Sequence, residues 1–167
     1  LYDLEKKIKP FNRAPHSEIG SSCIGASVVG GVCNNSGGAL IKRGPAYTEL
    51  SLFASVNNNG KLELQNKLGI NLGNTPEDIL KNLDNCTFND ENIKNSNSRA
   101  SSTDYSTIVK DINADSPARY NSDKRRLYDA SGCSGKVAVF AVRLDTFEKE
   151  SEERTFYYST NNPNDLT

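Results

Sequence analysis

Methionine and tryptophan are absent from the 167 residues, histidine occurs once, at position 16, and cysteine four times, at 23, 33, 86 and 133. With one histidine, no Ser/His/Asp constellation assembles, which sets a triad hydrolase aside. No C-x-x-C pair exists to build a zinc site, so no metal is expected and the cysteines read as reduced thiols. Cys23 and Cys33 fall in an apolar stretch, where a free thiol behaves as a small hydrophobe. Asn34-Asn35-Ser36 and Asn85-Cys86-Thr87 match the glycosylation pattern and read as chance matches in an Asn-rich chain. No run approaches the roughly 18 apolar residues of a membrane span, and no basic-then-apolar leader opens the sequence. Charge of either sign is not in excess: 20 Lys+Arg face 21 Asp+Glu, a net of −1. Such a balance leaves no electrostatic footprint for nucleic acid or for an anionic membrane surface. The chain starts at Leu1 in what already reads as helix, which points to a piece of a longer protein.

What is there is organised. Apolar residues at 1, 4 and 8 predict one helix face over Tyr2 to Lys9, closed by Pro10. Residues 47–56, YTELSLFASV, alternate as a half-buried strand with Leu50, Leu52, Ala54 and Val56 on one side. Asn59-Gly60 predicts a hairpin, because both residue types tolerate positive φ, and Leu62 and Leu64 alternate on the return. Thr75-Pro76-Glu77-Asp78 opens a helix: a capping hydroxyl, proline in the first turn, and acids at the positive end of the dipole. It runs to about Leu83. From about 85 to 107 the chain is polar and predicts a long loop or a partly disordered insertion. The run 117–128, with Arg119, Lys124, Arg125 and Arg126, reads as a solvated basic face, phosphate or acid binding being its alternative. Residues 137–144, VAVFAVRL, predict a buried strand, with 154–159 as its hairpin mate beyond an acidic turn. Asn161-Asn162-Pro163 looks like a helix cap.

The segment 20–38, GSSCIGASVVGGVCNNSGG, holds six of the chain's twelve glycines and no charge. Ile24, Val28, Val29 and Val32 distinguish it from a flexible linker, so it is expected to be buried and tightly turned. Glycine allows positive φ and lets a ligand lie against bare backbone, and N–H groups exposed in such turns hold phosphate or a polarised carbonyl. Neither the G-x-G-x-x-G nor the P-loop spacing is present. On spacing alone, glycines serving close packing of turns explain the segment equally well.

Longer stretches go further. KPFNRAPHSEIGSSCIGASVVGGVCNNSGGALIKRGPAYTELSLFA, INADSPARYNSDKRRLYDASGCSGKVAVFAVRLDTF and FYYSTNNPNDLT resemble, in one colinear register, the bacterial quinone-dependent D-lactate dehydrogenases. The likeness weakens only through about 85–107. "IG…GG…NNSGG" is also similar to the Gly-rich stretch of the vanillyl-alcohol-oxidase (PCMH) type of FAD-binding fold. The resemblance implies an α+β fold, an antiparallel sheet flanked by helices. All of 1–167 would form the second subdomain of a two-subdomain FAD-binding domain. The first subdomain and the substrate domains would lie elsewhere.

It further implies FAD as cofactor, D-lactate and quinone as reactants, and a parent protein peripheral to the cytoplasmic face of the bacterial inner membrane. The chain alone would be inactive and hold FAD weakly. By position in the matching motifs, the cofactor-binding residues are Gly20, Ser27, Gly37 and Val139, with Gly30 and Asn35 as second-tier candidates that serve equally as turn-formers. Catalytic residues are not assigned, since the substrate base is expected in other domains. His16 is read as a satisfied structural histidine, with a general base or a covalent flavin link as alternatives. Arg43 is a candidate for fixing flavin or substrate charge. Two rival readings stand: another FAD-dependent hydroxy-acid, alcohol or sugar oxidoreductase of this fold, and a non-catalytic α+β binding module.

Overall fold

A run of β-prone residues ending at Asn57 returns on itself through a three-residue loop, and this hairpin nucleates the main sheet. In the computed structural model, which describes residues 1–16, 26–37, 40–117 and 123–166, strands β2 (Ser51–Val56) and β3 (Leu62–Asn66) pair antiparallel from Leu52↔Asn66 to Val56↔Leu62. The Asn57 amide donates to Lys61 O and the Gly60 amide to Asn57 O, both at 2.9 Å. Of Asn59 and Gly60 only the glycine takes positive φ, +76°. That is the turn-plus-left-handed-residue form of a three-residue hairpin rather than the two-residue form.

Strand β4 (Ala138–Val142) pairs antiparallel on the other side of β2, giving the order β3–β2–β4. The ladder contains a bulge: Phe53 faces Val139 and Leu52 faces Ala141, so Phe140 is the extra residue. A second, two-stranded ribbon joins β1 (Arg13–Ala14) to β5 (Phe147–Glu148). One sheet face carries Leu52, Leu68, Leu72 and Ile79, with Leu64 and Ala141 against them, under helix α3 (Pro76–Asp84). The opposite face carries Val139, Val142 and Leu144 against Val32, Ala46 and Ala130, with helix α2 (Val28–Cys33) supplying Val32. The expected α+β arrangement, an antiparallel sheet with helices against it, is what forms.

Local signals were reliable where the chain satisfies itself. Thr75 caps α3 by accepting from the Asp78 amide at 3.2 Å, and Pro76 occupies the first turn. Helix α1 (Tyr2–Ile8) forms as expected, although Pro10 does not end it abruptly: Lys9–Phe11 continue as a 3₁₀ turn, closed by Asn12 in the left-handed region at φ +56°.

Four expectations are corrected. The strand expected over 47–56 starts only at Ser51, and Ser51, Leu52 and Phe53 are all buried. As the central strand it is covered on both faces there, while Val56, expected inside, is 66% exposed. The strand expected over 137–144 lies at the sheet edge and leaves Phe140 half exposed. Residues 154–159 form no strand and lie exposed, because the segment after β4 pairs instead with β1.

The fourth correction is the polar stretch 85–107, which is a packed loop. Arg99 donates from its amide and Nε to the Glu49 carboxylate at 3.0 and 2.9 Å. Ser101 Oγ donates to Asp145 Oδ2 at 2.7 Å, and buried Ser102 donates to Arg43 O and Pro45 O. The stretch ends in a short helix, α4 (Tyr105–Ile108), that seats Tyr105 against Tyr47. Burial works against ionising Glu49, yet the hydrogen bonds from Arg99 and Tyr47 outweigh it and hold the carboxyl below its usual range.

Candidate functional site

The Gly-rich stretch is helical where it is described. Ser27 sits extended at φ −97°, ψ 145°, and its Oγ accepts from the Gly30 amide at 2.9 Å, starting α2. Gly30 serves this cap directly, since a Cβ there would lie 2.7 Å from Ser27 Oγ. The helix ends by a Schellman pattern. Asn35 takes φ +45°, the Asn35 amide donates to Val32 O at 3.0 Å and the Ser36 amide to Gly31 O at 2.8 Å. Asn35 is buried, and its Nδ2 donates to Arg126 O at 3.3 Å. Both second-tier candidates are therefore turn-formers. The 130–135 loop seals the same helix end: Gly132 N–H donates to Val32 O and Ser134 N–H to Cys33 O.

Of the four principal candidates, Gly20 lies outside the described residues. Ser27 is exposed at the head of α2, and Gly37 is exposed just beyond its foot. Among the described residues nothing demands glycine at 37: its φ is outside the positive region, and a Cβ would meet only Pro45 Cβ, at 3.8 Å. Val139 is half buried, and its side chain belongs to the core beneath α2. Ser27 and Gly37 thus bracket α2, and Val139 underlies it.

Beside the head of α2 runs a mainly apolar groove of about 440 Å³, lined by Val28 and Val29 of α2, by Ala141 and Val142 of β4 with the following Leu144, Asp145 and Thr146, and by Leu4, Pro15 and His16. His16 is 4% exposed. Its Nε2 faces Gly31, whose Cβ, were there one, would lie 3.9 Å away. Its Nδ1 is buried with no hydrogen-bond partner among the described residues, so there the expectation of a satisfied histidine holds for its burial and not for its bonding. Burial pushes the imidazole down to about 4, leaving the ring neutral at physiological pH.

Arg43 is buried, donates from Nη1 to Pro15 O at 3.2 Å and lies 5.8 Å from the centroid of the Phe147 ring. It braces the segment that carries His16. Arg43 also borders a polar cleft of about 420 Å³ with Lys9, Arg13, Lys149, Glu5 and Glu153, a feature that sequence reading missed because its residues come from both ends of the chain.

The basic run is not a free cationic face where it is described. Arg125 donates to both carboxylate oxygens of Asp123, and Arg126 pairs with Asp104 at 2.6 Å. The Arg125 guanidinium holds the Asp123 carboxyl down to about 2. Arg119 lies outside the described residues. No described helix is long and apolar enough to cross a membrane, and no group of three or more His, Cys, Asp and Glu side chains converges among the described residues.

An antiparallel sheet with helices against it, and an apolar groove beside α2, define the class: an α+β segment. No family model matches the chain. Three curated relatives do. The quinone-dependent D-lactate dehydrogenase of Escherichia coli (strain K12) is 60% identical over 167 residues, all of this chain and 29% of that protein. The enzyme of the same name from Haemophilus influenzae is 56% identical over 161 residues, 96% of this chain and 28% of its own. That of Corynebacterium glutamicum is 45% identical over 166 residues, 99% of this chain and 29% of its own. The chain belongs to the quinone-dependent D-lactate dehydrogenase family, and it spans about 29% of the length of the relatives it matches.

Proposed function

We propose that this chain is the FAD-holding segment of an oxidoreductase that converts D-lactate to pyruvate and passes the electrons to quinone. The carrying observation is the identity of 45–60% over nearly the whole chain to three proteins bearing that name. On this reading residues 1–167 are one partial domain, the second subdomain of the FAD-binding unit. The other subdomain and the lactate pocket belong to the remainder of the protein, which is peripheral to the cytoplasmic face of the bacterial inner membrane.

The residues present fit the cofactor. Gly37 lacks a Cβ where neither backbone conformation nor the described neighbouring atoms require it, which leaves bare peptide for part of the cofactor to approach. Ser27 is exposed at the head of α2, with its hydroxyl proton available to donate. Val139 meets the ligand through its main chain, and Gly20 by its place in the motif. FAD supplies the hydride acceptor that lactate oxidation needs; the chain supplies contact surface, orientation and exclusion of water.

The test uses the full-length protein. Purified material should carry a visible flavin band near roughly 450 nm, on the order of one FAD per chain. Gly37→Leu should lower FAD occupancy while circular dichroism stays unchanged. A colourless protein that stays colourless with added FAD would select the non-catalytic binding module, and a flavoprotein that ignores D-lactate but oxidises another hydroxy acid would select the related oxidoreductases.

A further inference from the structure

Most polar side chains around the apolar groove already have partners. Asp145 accepts from Ser101 Oγ at 2.7 Å. Thr146 Oγ1 accepts from Arg13 Nε at 3.0 Å. His16 differs: it is 4% exposed, it borders the groove, and its Nδ1 has no partner among the described residues. A buried polar atom without a partner costs free energy that a folded chain rarely leaves uncompensated. The ring is also held in place. Arg43 fixes Pro15 through its carbonyl, Ala14 pairs with Phe147 in the ribbon, and Nε2 lies beside Gly31 of α2. Such fixation of one nitrogen beside a mainly apolar space, whose polar lining residues Asp145 and Thr146 are already bonded, suits a flat ring whose faces are apolar and whose edge bears hydrogen-bonding atoms.

We propose that His16 is a positioning residue for the cofactor, its Nδ1 hydrogen-bonding the edge of the FAD ring system seated in the groove between α2 and β4. This rests on the reading of the chain as an FAD-holding segment. A neutral imidazole serves either way round: Nδ1 donates when protonated and accepts when not, and the edge of FAD offers both acceptors and donors. Because the ring stays neutral, it orients the cofactor without placing a charge beside it.

The experiment compares full-length wild type with His16→Leu, His16→Asn and His16→Gln. Asparagine places its amide where Nδ1 lies; glutamine reaches toward the place of Nε2. Each protein is stripped of FAD and titrated with FAD by quenching of flavin fluorescence, and the visible spectrum is recorded at saturation. Loss of one neutral hydrogen bond should weaken FAD binding by about tenfold in the leucine and glutamine variants, with a shifted visible band. Asparagine should stay within about threefold of wild type. Equal affinity and an unchanged band in leucine would overturn the proposal and make His16 a space-filler. Should the leucine variant fail to fold, the asparagine–glutamine pair decides, and equal affinities there overturn it. Wild type that binds no FAD at all would instead remove the underlying reading, an outcome separable from the first two.

Discussion

Ser131 offers the clearest test of how this chain replaces missing strand pairing. Thr48, three residues before the start of β2, is fully buried, as is Ser131. The Thr48 amide donates to Ser131 Oγ at 2.9 Å, and Ser131 Oγ donates to Thr48 O at 2.7 Å. One hydroxyl therefore satisfies both backbone groups of a residue that no strand reaches. Ser131→Ala removes one oxygen and leaves two buried groups unpaired. At about 1–3 kcal/mol for each stranded group, the expected loss is about 2–6 kcal/mol. That is a large share of the roughly 5–15 kcal/mol that holds a domain folded. Ser101→Ala deletes the same atom from another buried serine, but its partner Asp145 is exposed and regains water. Its cost should be nearer 1 kcal/mol. Urea unfolding of the two variants, read as shifts in midpoint at constant slope, measures the difference. Equal losses for the two serines would refute the reasoning.

Other expectations follow from the same geometry. His16 titrates at about 4 when folded against 6.5 for the free side chain, so the unfolded chain binds more protons between those values. Stability should be complete above pH 6.5 and fall by about 3 kcal/mol as pH drops to 4, and His16→Asn should flatten that slope in urea unfolding at stepped pH. Thr75→Ala should lower stability by about 1 kcal/mol through loss of the α3 cap, measured by thermal unfolding. Gly44 has φ +69°, and a Cβ there would lie 2.2 Å from Ser102 Oγ and 2.8 Å from Tyr105 Cβ. Gly44→Ala should therefore unfasten the 99–105 loop, seen as faster amide exchange there, with loss well beyond the roughly 1 kcal/mol of an ordinary glycine replacement.

What the sequence made legible was local. The α3 cap and the Asn59-Gly60 hairpin depend on residues within five positions of each other, and they formed. The left-handed terminator of α2 was half legible, since asparagine is a common second choice to glycine at that position. The helix itself was hidden because Gly30 and Gly31 are poor helix formers, and packing of Val32 into the core decides the matter. The loop over 85–107 looked disordered because its order comes from Glu49, Arg43 and Asp145, tens of residues away. The same limit applies to the candidate site. Motif likeness picked out Ser27 and Gly37, yet the bonding state of His16 could be known only once the groove walls were in place.

The extra residue in β4 sets which side of the sheet each later side chain serves. Strand side chains alternate, so one inserted residue reverses the phase of everything beyond it. Here it sends both Val139 and Val142 beneath α2 and gives Ala141 to the layer under α3. Excising Phe140 would not merely shorten an edge. It would exchange the tenants of the two layers downstream, turning Val142 toward α3 and withdrawing one of the groove's apolar walls.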